Sequence, residues 1–569
     1  MYSIMYTIKN ILPTVLTVMM MVAALSCSDF LDKDPLTDTT LNREEIFADE
    51  RYAPGFLNSI YNYLPDGYSR FDGAMLAAAS DEAVCSNSGA PIHLFNKSAI
   101  NTTTNPDDVW SSMYRGIRAT NLFLEELGPN GIITQTNSIP KLKEGVKVRD
   151  YFKGQAYFLR AYFHFELLKR YGNIFYIRKV LDPFNENELY AGVQLPFHQT
   201  VDSIVADLDS AANLMPSVYP DDSYKGRPVR WTPLALKSRL LLYAASPLNN
   251  PANDPAKWKR AADAAKVIID SKRYSLVTLN RIFIEPYNPE IIFSSKAVNR
   301  NDIETYNLPV SFQGRGYMNP TEDLVAEFGM AAKTYRNRMV DFDANDPYSL
   351  VNTRKREDRL RYTVFFNGSR LKDTIVATFI GGKDGLYSTP TATQTGYYMS
   401  KFVDQSLDMA KGNTSLRQWV HIRYAEILLN YAEALNEYDN SANFNAITAE
   451  LDRLRNRANL RPLDTADKNL LRDQNEMRNY IKRERRLELA FEEHRFWDLR
   501  RWKDAETVLN KPVNGMRITR NNAGNYTYTV FEAEKRSFDP KMYWYPIPRT
   551  EILKYRNAGK TIIQNPGWE

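Results

Sequence analysis

The chain has 569 residues, of which 43% are hydrophobic and 25% are charged, a balance typical of an ordinary globular protein. Its 73 basic and 68 acidic residues leave a net charge of +5, too small at this length to indicate a nucleic-acid-binding protein. The only cysteines are Cys27 and Cys85, so we do not expect the fold to depend on disulfides.

The N-terminus contains an apolar segment, Ile11–Leu25, which follows a single lysine, Lys9. A transmembrane helix needs ~20 apolar residues, so this shorter segment predicts a secretory signal peptide over residues 1–26. The letters ALSC that end at Cys27 resemble a bacterial lipobox, although the leucine stands one place later than usual. We therefore expect Cys27 to carry a lipid anchor and residues 27–45 to form the lipidated N-terminus and tether. An ordinary signal peptide beside a chance cysteine is the alternative.

Helical periodicity dominates the mature chain. In Val148–Tyr171, apolar residues recur at steps of three and four on two adjacent faces, which predicts a helix packed between neighbours. The same periodicity of apolar residues predicts helices over Trp231–Ser246, Trp258–Ser271, Trp419–Glu437 and Asn445–Leu460. Such pairs resemble degenerate tetratricopeptide repeats, although no strict ~34-residue period is present. The predicted fold is mainly α: a tetratricopeptide-like helical-repeat scaffold with long irregular loops and a few short strands.

Three long segments lack this periodicity, at about residues 62–106, 281–320 and 344–414. They are rich in small polar residues or mix short apolar runs with glycine and proline. Irregular segments of this length in a compact protein are usually functional. Because no proline- or glycine-rich linker divides the chain, we expect one domain over residues 46–569, with a C-terminal region at 417–569.

Signatures of catalysis are missing from the sequence. The five histidines are scattered, and no pair has metal-ligand spacing: His93, His164, His198, His421 and His494. No nucleophile elbow, phosphate-binding loop, dinucleotide fingerprint or C-x-x-C motif is present. Carboxylates are plentiful, but nothing marks a glycosidase pair. We expect a protein that is not an enzyme, with no catalytic residues, cofactor or metal.

The segment Arg483–Trp502 is both strongly charged and apolar. Its pattern predicts a single scaffold helix crossed by salt bridges, with Glu492–Arg495 and Asp498–Arg501 at i,i+3 spacing.

This segment, RERRLELAFEEHRFWDLRRW, closely resembles the signature motif of the SusD/RagB family. Three further matches stand in the family's order along the chain. They are the Trp110–Asn121 helix pattern, Trp544–Ile552 with its PIP and Glu551-Ile552, and the terminal Gln564–Trp568, in which tryptophan replaces the usual tyrosine. The lipobox and the letters DFLD after it also fit, so the resemblance extends over the mature chain.

The resemblance implies a fold, a location and partners. Family members are lipid-anchored, surface-exposed proteins of the outer membrane that form a lid over a SusC-like TonB-dependent barrel. Their repeat helices are thought to face the transporter, while irregular loops face the ligand. We therefore expect a nutrient-binding lipoprotein that delivers an oligosaccharide or polysaccharide to such a barrel. The alternatives are a peptide-binding member of the family and, less favoured, a glycan hydrolase or a protein-binding repeat adaptor.

Two loop regions offer the rings and hydrogen-bonding groups that sugar binding requires, Val84–Asn105 and Asn299–Asn319. The candidate ligand-binding residues are His93, Phe95, Tyr306, Phe312, Arg315 and Tyr317. For each ring, packing in the core is the alternative role.

Overall fold

The computed structural model describes residues 47, 52–128, 146–329, 347–348 and 356–569. The expected signal peptide, the Cys27 anchor and the tether at 27–45 lie outside the described residues. None of the described helices is long and apolar enough to cross a bilayer.

Helices supply most of the regular structure, which confirms the predicted mainly α fold. They are α1 (Tyr52–Ile60), α2 (His93–Asn96), α3 (Trp110–Glu126), α4 (Val148–Tyr171), α5 (Glu186–Leu189), α6 (Phe197–Leu214), α7 (Trp231–Ala245), α8 (Pro255–Asp270), α9 (Asp302–Asn307), α10 (Glu322–Val325), α11 (Asp358–Thr363), α12 (Tyr424–Arg457), α13 (Thr465–Leu470), α14 (Gln474–Glu488), α15 (His494–Arg501), α16 (Ala505–Leu509) and α17 (Arg549–Asn557).

The strands are short and occur in antiparallel pairs. They are β1 (Ala83–Cys85), β2 (Ile291–Ser294), β3 (Val298–Arg300), β4 (Met318–Pro320), β5 (Val364–Phe365), β6 (Arg370–Leu371), β7 (Thr374–Ile375), β8 (Tyr398–Met399), β9 (Ser415–Arg417), β10 (Val420–Arg423), β11 (Val513–Arg520) and β12 (Tyr526–Glu534). The pairs are β1–β4, β2–β10, β3–β9, β5–β8, β6–β7 and β11–β12.

The long helices form a continuous scaffold in which each packs against the next. Contacts run from α3 to α4, then through α6, α7 and α8 to α12 and α14. Helix α4 lies inside this stack, and Phe158, Leu159 and Phe163 are fully buried. It ends where Gly172 adopts a positive φ of 69° and its N–H donates to the Leu168 carbonyl. This arrangement agrees with the two apolar faces seen in its sequence.

The structure corrects the predicted helix over Trp419–Glu437. The helix starts only at Tyr424, because the preceding Val420–Arg423 pairs as β10 with β2. It then continues past the expected end, with non-helical backbone at Asp439 (φ −166°, ψ 92°) separating two helical parts. The Asp439 carboxylate accepts from the Ala442 N–H and so caps the second part.

The predicted single helix over Arg483–Trp502 is wrong, because the chain breaks between α14 and α15. Phe491 and Glu493 both have a φ of 65°, outside the helical region. The predicted Glu492–Arg495 pair is absent: Glu492 accepts from Arg423 (2.6 Å), and Arg495 donates to Asp81 (2.8 Å). The Asp498–Arg501 pair is confirmed at 2.8 Å. The charges at the break therefore join this motif to distant parts of the fold.

Candidate functional site

One antiparallel pair, β1–β4, brings two of the predicted loop regions to the same end of a ladder. Cys85, the last residue of β1, lies opposite Met318, the first residue of β4. The chain that leaves β1 and the chain that enters β4 must therefore run side by side. A hydrogen bond from the Ser86 N–H to the Tyr317 carbonyl (2.9 Å) continues the contact beyond the strands.

A third loop joins the other two. The Ser86 Oγ lies within hydrogen-bond distance of the carbonyls of Gly316 (3.0 Å) and Thr391 (2.9 Å), and its one proton can be donated to either. Farther along, the Ser311 N–H donates to the Asp384 carboxylate at 3.0 Å. Residues 72–93, 305–317 and 384–395 thus converge, and we refer to them as the three-loop cluster.

Two tyrosine rings form the centre of the three-loop cluster. Tyr306 and Tyr317 are stacked, with ring centroids 5.7 Å apart and an interplanar angle of 23°. A backbone hydrogen bond from Tyr317 to Tyr306 (2.8 Å) fixes their spacing. Tyr317 is buried and Tyr306 is half-buried. The Arg315 guanidinium, which is exposed, lies 5.4 Å from the Tyr306 centroid and 5.9 Å from that of Tyr317.

Glycine at position 73 allows the first loop to lie against these rings. Gly73 has a φ of 90°, and a Cβ placed on it would come within 2.6 Å of the Tyr306 ring and 2.7 Å of the Tyr317 ring. Only a residue without a side chain fits both the backbone conformation and the contact.

His93 is linked to the same loop through the backbone. One of its ring nitrogens, Nε2, lies 2.9 Å from the Asn87 carbonyl, and the Asn87 amide donates to the Asp72 carbonyl at 3.2 Å. His93 is half-buried. The structure therefore brings His93, Tyr306, Arg315 and Tyr317 into one neighbourhood.

Of the remaining two candidate residues, Phe95 lies in the core and Phe312 lies in the three-loop cluster, next to the contact with the third loop. Phe95 is only 3% exposed and packs against Phe496 and Tyr545, with centroid distances of 5.5 and 5.7 Å. It is a core residue, and this position removes it from the surface expected of a ligand contact. Phe312 is half-buried at the end of a short 3₁₀ turn, beside the Ser311 contact with the third loop.

Tyr387 is a residue that the sequence analysis did not single out. It lies in the third loop, three positions after Asp384, and its side chain is 79% exposed. Its φ of 67° is unusual for a tyrosine. The sequence signal was a ring between glycines and the polar run STPTATQTG, inside a segment already expected to be a binding loop.

The polar groups of Asp384 and Tyr398 form hydrogen bonds within the fold. Both carboxylate oxygens of Asp384 accept backbone N–H groups, from Ser311 (3.0 Å) and Ala377 (3.2 Å). Burial raises the pKa of the Tyr398 phenol well above its usual value, so this hydroxyl stays protonated and donates to the Asp384 carbonyl. Asp384 therefore holds the loops in place.

The cluster offers ring faces, amides and a guanidinium, which are groups that can bind a polar ligand. Within the described part of the chain, no three His, Cys, Asp or Glu side chains gather where they could hold a metal ion.

Two concavities of the described structure draw no residue from the three loops. One, of about 720 Å³, lies among α6, α7, α8 and the C-terminal segment and is lined by Phe197 and Trp544. The other, of about 320 Å³, contains Phe283 and Lys401, whose ammonium group already donates to Glu492 at 2.7 Å.

Comparisons with known proteins identify similar chains. A model described as the SusD family matches residues 286–568, and one described as "starch-binding associating with outer membrane" matches residues 29–242. The SusD-like protein P2 of Formosa agariphila is 25% identical over 435 residues, which cover 73% of each chain.

Solved structures share the fold. A SusD-like protein from Bacteroides fragilis superposes with a TM-score of 0.74 at 24% identity, over 94% of this chain and all of that one. A SusD-like carbohydrate-binding protein from the same species gives a TM-score of 0.70 at 22% identity, over 90% of this chain and 99% of that one.

Proposed function

This chain belongs to the SusD/RagB family, and from that premise we propose that it binds a glycan at the three-loop cluster and delivers it to a SusC-like TonB-dependent barrel. Carbohydrate binding and association with the outer membrane are supported at the level of the family. The lipid anchor at Cys27, exposure at the cell surface, the barrel partner and the choice of a glycan by this chain are parts of the proposal.

The convergence of three loops on the stacked pair Tyr306–Tyr317 is the observation that carries the proposal. A pyranose ring binds a flat aromatic face, and its hydroxyls bind amides and charged side chains. The half-buried Tyr306 and the exposed Tyr387 offer such faces on neighbouring loops. His93, Phe312, Arg315 and Tyr317 complete the proposed contact set. Phe95 is left out because its ring packs in the core against Phe496 and Tyr545.

A binding role is favoured over hydrolysis by the chemistry of the cluster. Both oxygens of its Asp384 carboxylate accept backbone N–H groups, and Asp81 is paired with Arg495, so these two acids serve the fold. Family members are described as binding proteins, which supports the same choice.

Affinity electrophoresis of the mature chain, Ser28–Glu569, against a panel of polysaccharides tests the proposal, with peptides tested in parallel by calorimetry. We expect one glycan class to retard the protein. Replacing Tyr306 by alanine removes a stacking face worth ~0.5–1.5 kcal/mol, so we expect affinity to fall by about 2- to 12-fold.

Tyr438→Ala is the matched control, because Tyr438 is also partly exposed but lies in α12, outside the cluster. Binding of peptides without any glycan would overturn the choice of ligand and favour the peptide-binding alternative. Turnover of a bound glycan would instead favour a hydrolase.

A further inference from the structure

Arg315 places a positive charge beside the proposed sugar-binding face. Its guanidinium lies over both stacked tyrosines and is exposed. The single hydrogen bond that the structure gives it is a long one, 3.4 Å from Nη1 to the Tyr317 hydroxyl. It forms no ion pair with a carboxylate among the residues that the structure describes. Most of its donors are therefore available to a ligand.

Other arginines near the cluster are neutralised by acids. Arg300 donates to Asp302 (2.5 Å), and Arg417 donates to Glu304 (2.8 Å). Their carboxylates are thus occupied, and Asp384 is occupied by backbone N–H groups. Among the other carboxylates on these loops, Asp81 is paired with Arg495 (2.8 Å) and Glu82 is buried. Within the described residues, the exposed Asp72 forms no ion pair with Arg315. The Arg315 guanidinium is therefore a positive charge beside the aromatic face that no ion pair among the described residues neutralises.

A guanidinium is a planar fork that matches the two oxygens of a carboxylate or a sulfate. Neutral sugars carry no such group, and their hydroxyls would leave the charge of Arg315 without a counterion. A sugar stacked on Tyr306 would bring any acidic substituent on its ring within reach of this fork. From this geometry we infer that the ligand is an acidic glycan, with uronate or sulfate groups, and that Arg315 determines this specificity. The inference rests on the proposed glycan-binding function.

Matched pairs of polysaccharides test the inference on the full mature chain. Polygalacturonate is compared with its carboxyl-reduced, neutral form, and a sulfated galactan is compared with its desulfated form. We expect at least a tenfold higher affinity for the acidic member of one pair, and the pair that responds distinguishes uronate from sulfate. Raising the salt concentration should weaken this preference, because it screens the ion pair.

Two substitutions separate charge from shape. Arg315→Gln removes the charge and should abolish the preference for the acidic polymer, while Arg315→Lys keeps the charge without the fork and should retain only part of it. The matched control is Arg517→Gln, because Arg517 is also exposed and lies 5.0 Å from the ring of Phe531, but belongs to β11. It should bind like the unaltered protein.

The outcomes distinguish acidic-glycan specificity from glycan binding as such. Equal binding of acidic and neutral polymers, or full acid preference in Arg315→Gln, would overturn the acidic-glycan inference and leave glycan binding intact. Failure of every polysaccharide, acidic or neutral, to retard the protein would contradict the proposed function itself.

Discussion

At the scale of single residues, the aromatic side chains of the loops have two different roles: some pack in the core and others lie in the three-loop cluster. Phe95 and Tyr306 lie in similar polar loops of the sequence, yet Phe95 packs against Phe496 in the core and Tyr306 faces the loop cluster. Ring identity alone cannot separate these roles, because the burial of a loop residue depends on which distant segment covers it. The same reasoning explains why Tyr387 became apparent only in the structure.

Gly73 gives a test of the cluster at this scale. We expect Gly73→Ala to destabilise the fold by ~1–2 kcal/mol through its positive φ and to lower glycan affinity at least threefold by displacing the tyrosine pair. Thermal unfolding and affinity electrophoresis would measure the two effects.

Gly368→Ala separates backbone strain from the ring contact. Gly368 has the same φ of 90°, but nothing lies within 4 Å of its added Cβ. The Gly368→Ala variant should lose stability and keep its affinity for the glycan. Equal glycan affinity in the two variants would refute a role for the Gly73 contact.

At the scale of elements, the break between α14 and α15 depends on buried charges. Arg423, in β10, is 1% exposed and donates to Glu290, Glu488 and Glu492 at 2.6–2.7 Å. Burial alone would raise the pKa of Glu488, but Arg457, Arg423 and Arg359 together hold that pKa well below its usual range. Stability from this carboxylate is therefore present above about pH 4 and is lost as the pH falls through the lower folded-state value.

Replacing Arg423 by methionine should leave three carboxylates without their shared partner. We expect a loss of ~3–5 kcal/mol in the free energy of unfolding, measured by denaturant titration at neutral pH. The exposed pair Arg281–Glu285 provides the control, and Arg281→Met should leave the unfolding midpoint unchanged. Similar unfolding midpoints for Arg423→Met and the unaltered protein would show that the buried ion pairs of Arg423 are not needed at the break.

At the scale of the whole molecule, a helical scaffold carries the proposed binding loops, and the proposed anchor lies outside the described residues. Anchoring and ligand binding should therefore be separable. We expect Cys27→Ser to move the protein from the membrane fraction to the soluble fraction, while glycan affinity of the purified protein stays the same.

Metabolic labelling with an alkyne fatty acid measures the anchor directly. Cys85→Ala is the control, because Cys85 is buried in β1, where burial raises the pKa of its thiol to about 12. This variant should still incorporate the label. Labelling that survives in Cys27→Ser would place the anchor elsewhere.

The sequence by itself was sufficient to predict the helical scaffold and to identify the family. Period-three-and-four patterns such as Val148–Tyr171 are local, and the structure has that helix with the same bounds. Only the tertiary structure decided which loop residues meet. The pairing of β1 with β4 joins segments more than 200 residues apart, and the ion pairs of Glu492 and Arg495 reach Arg423 and Asp81 instead of each other. Such contacts depend on long-range packing, which local periodicity and residue type do not encode.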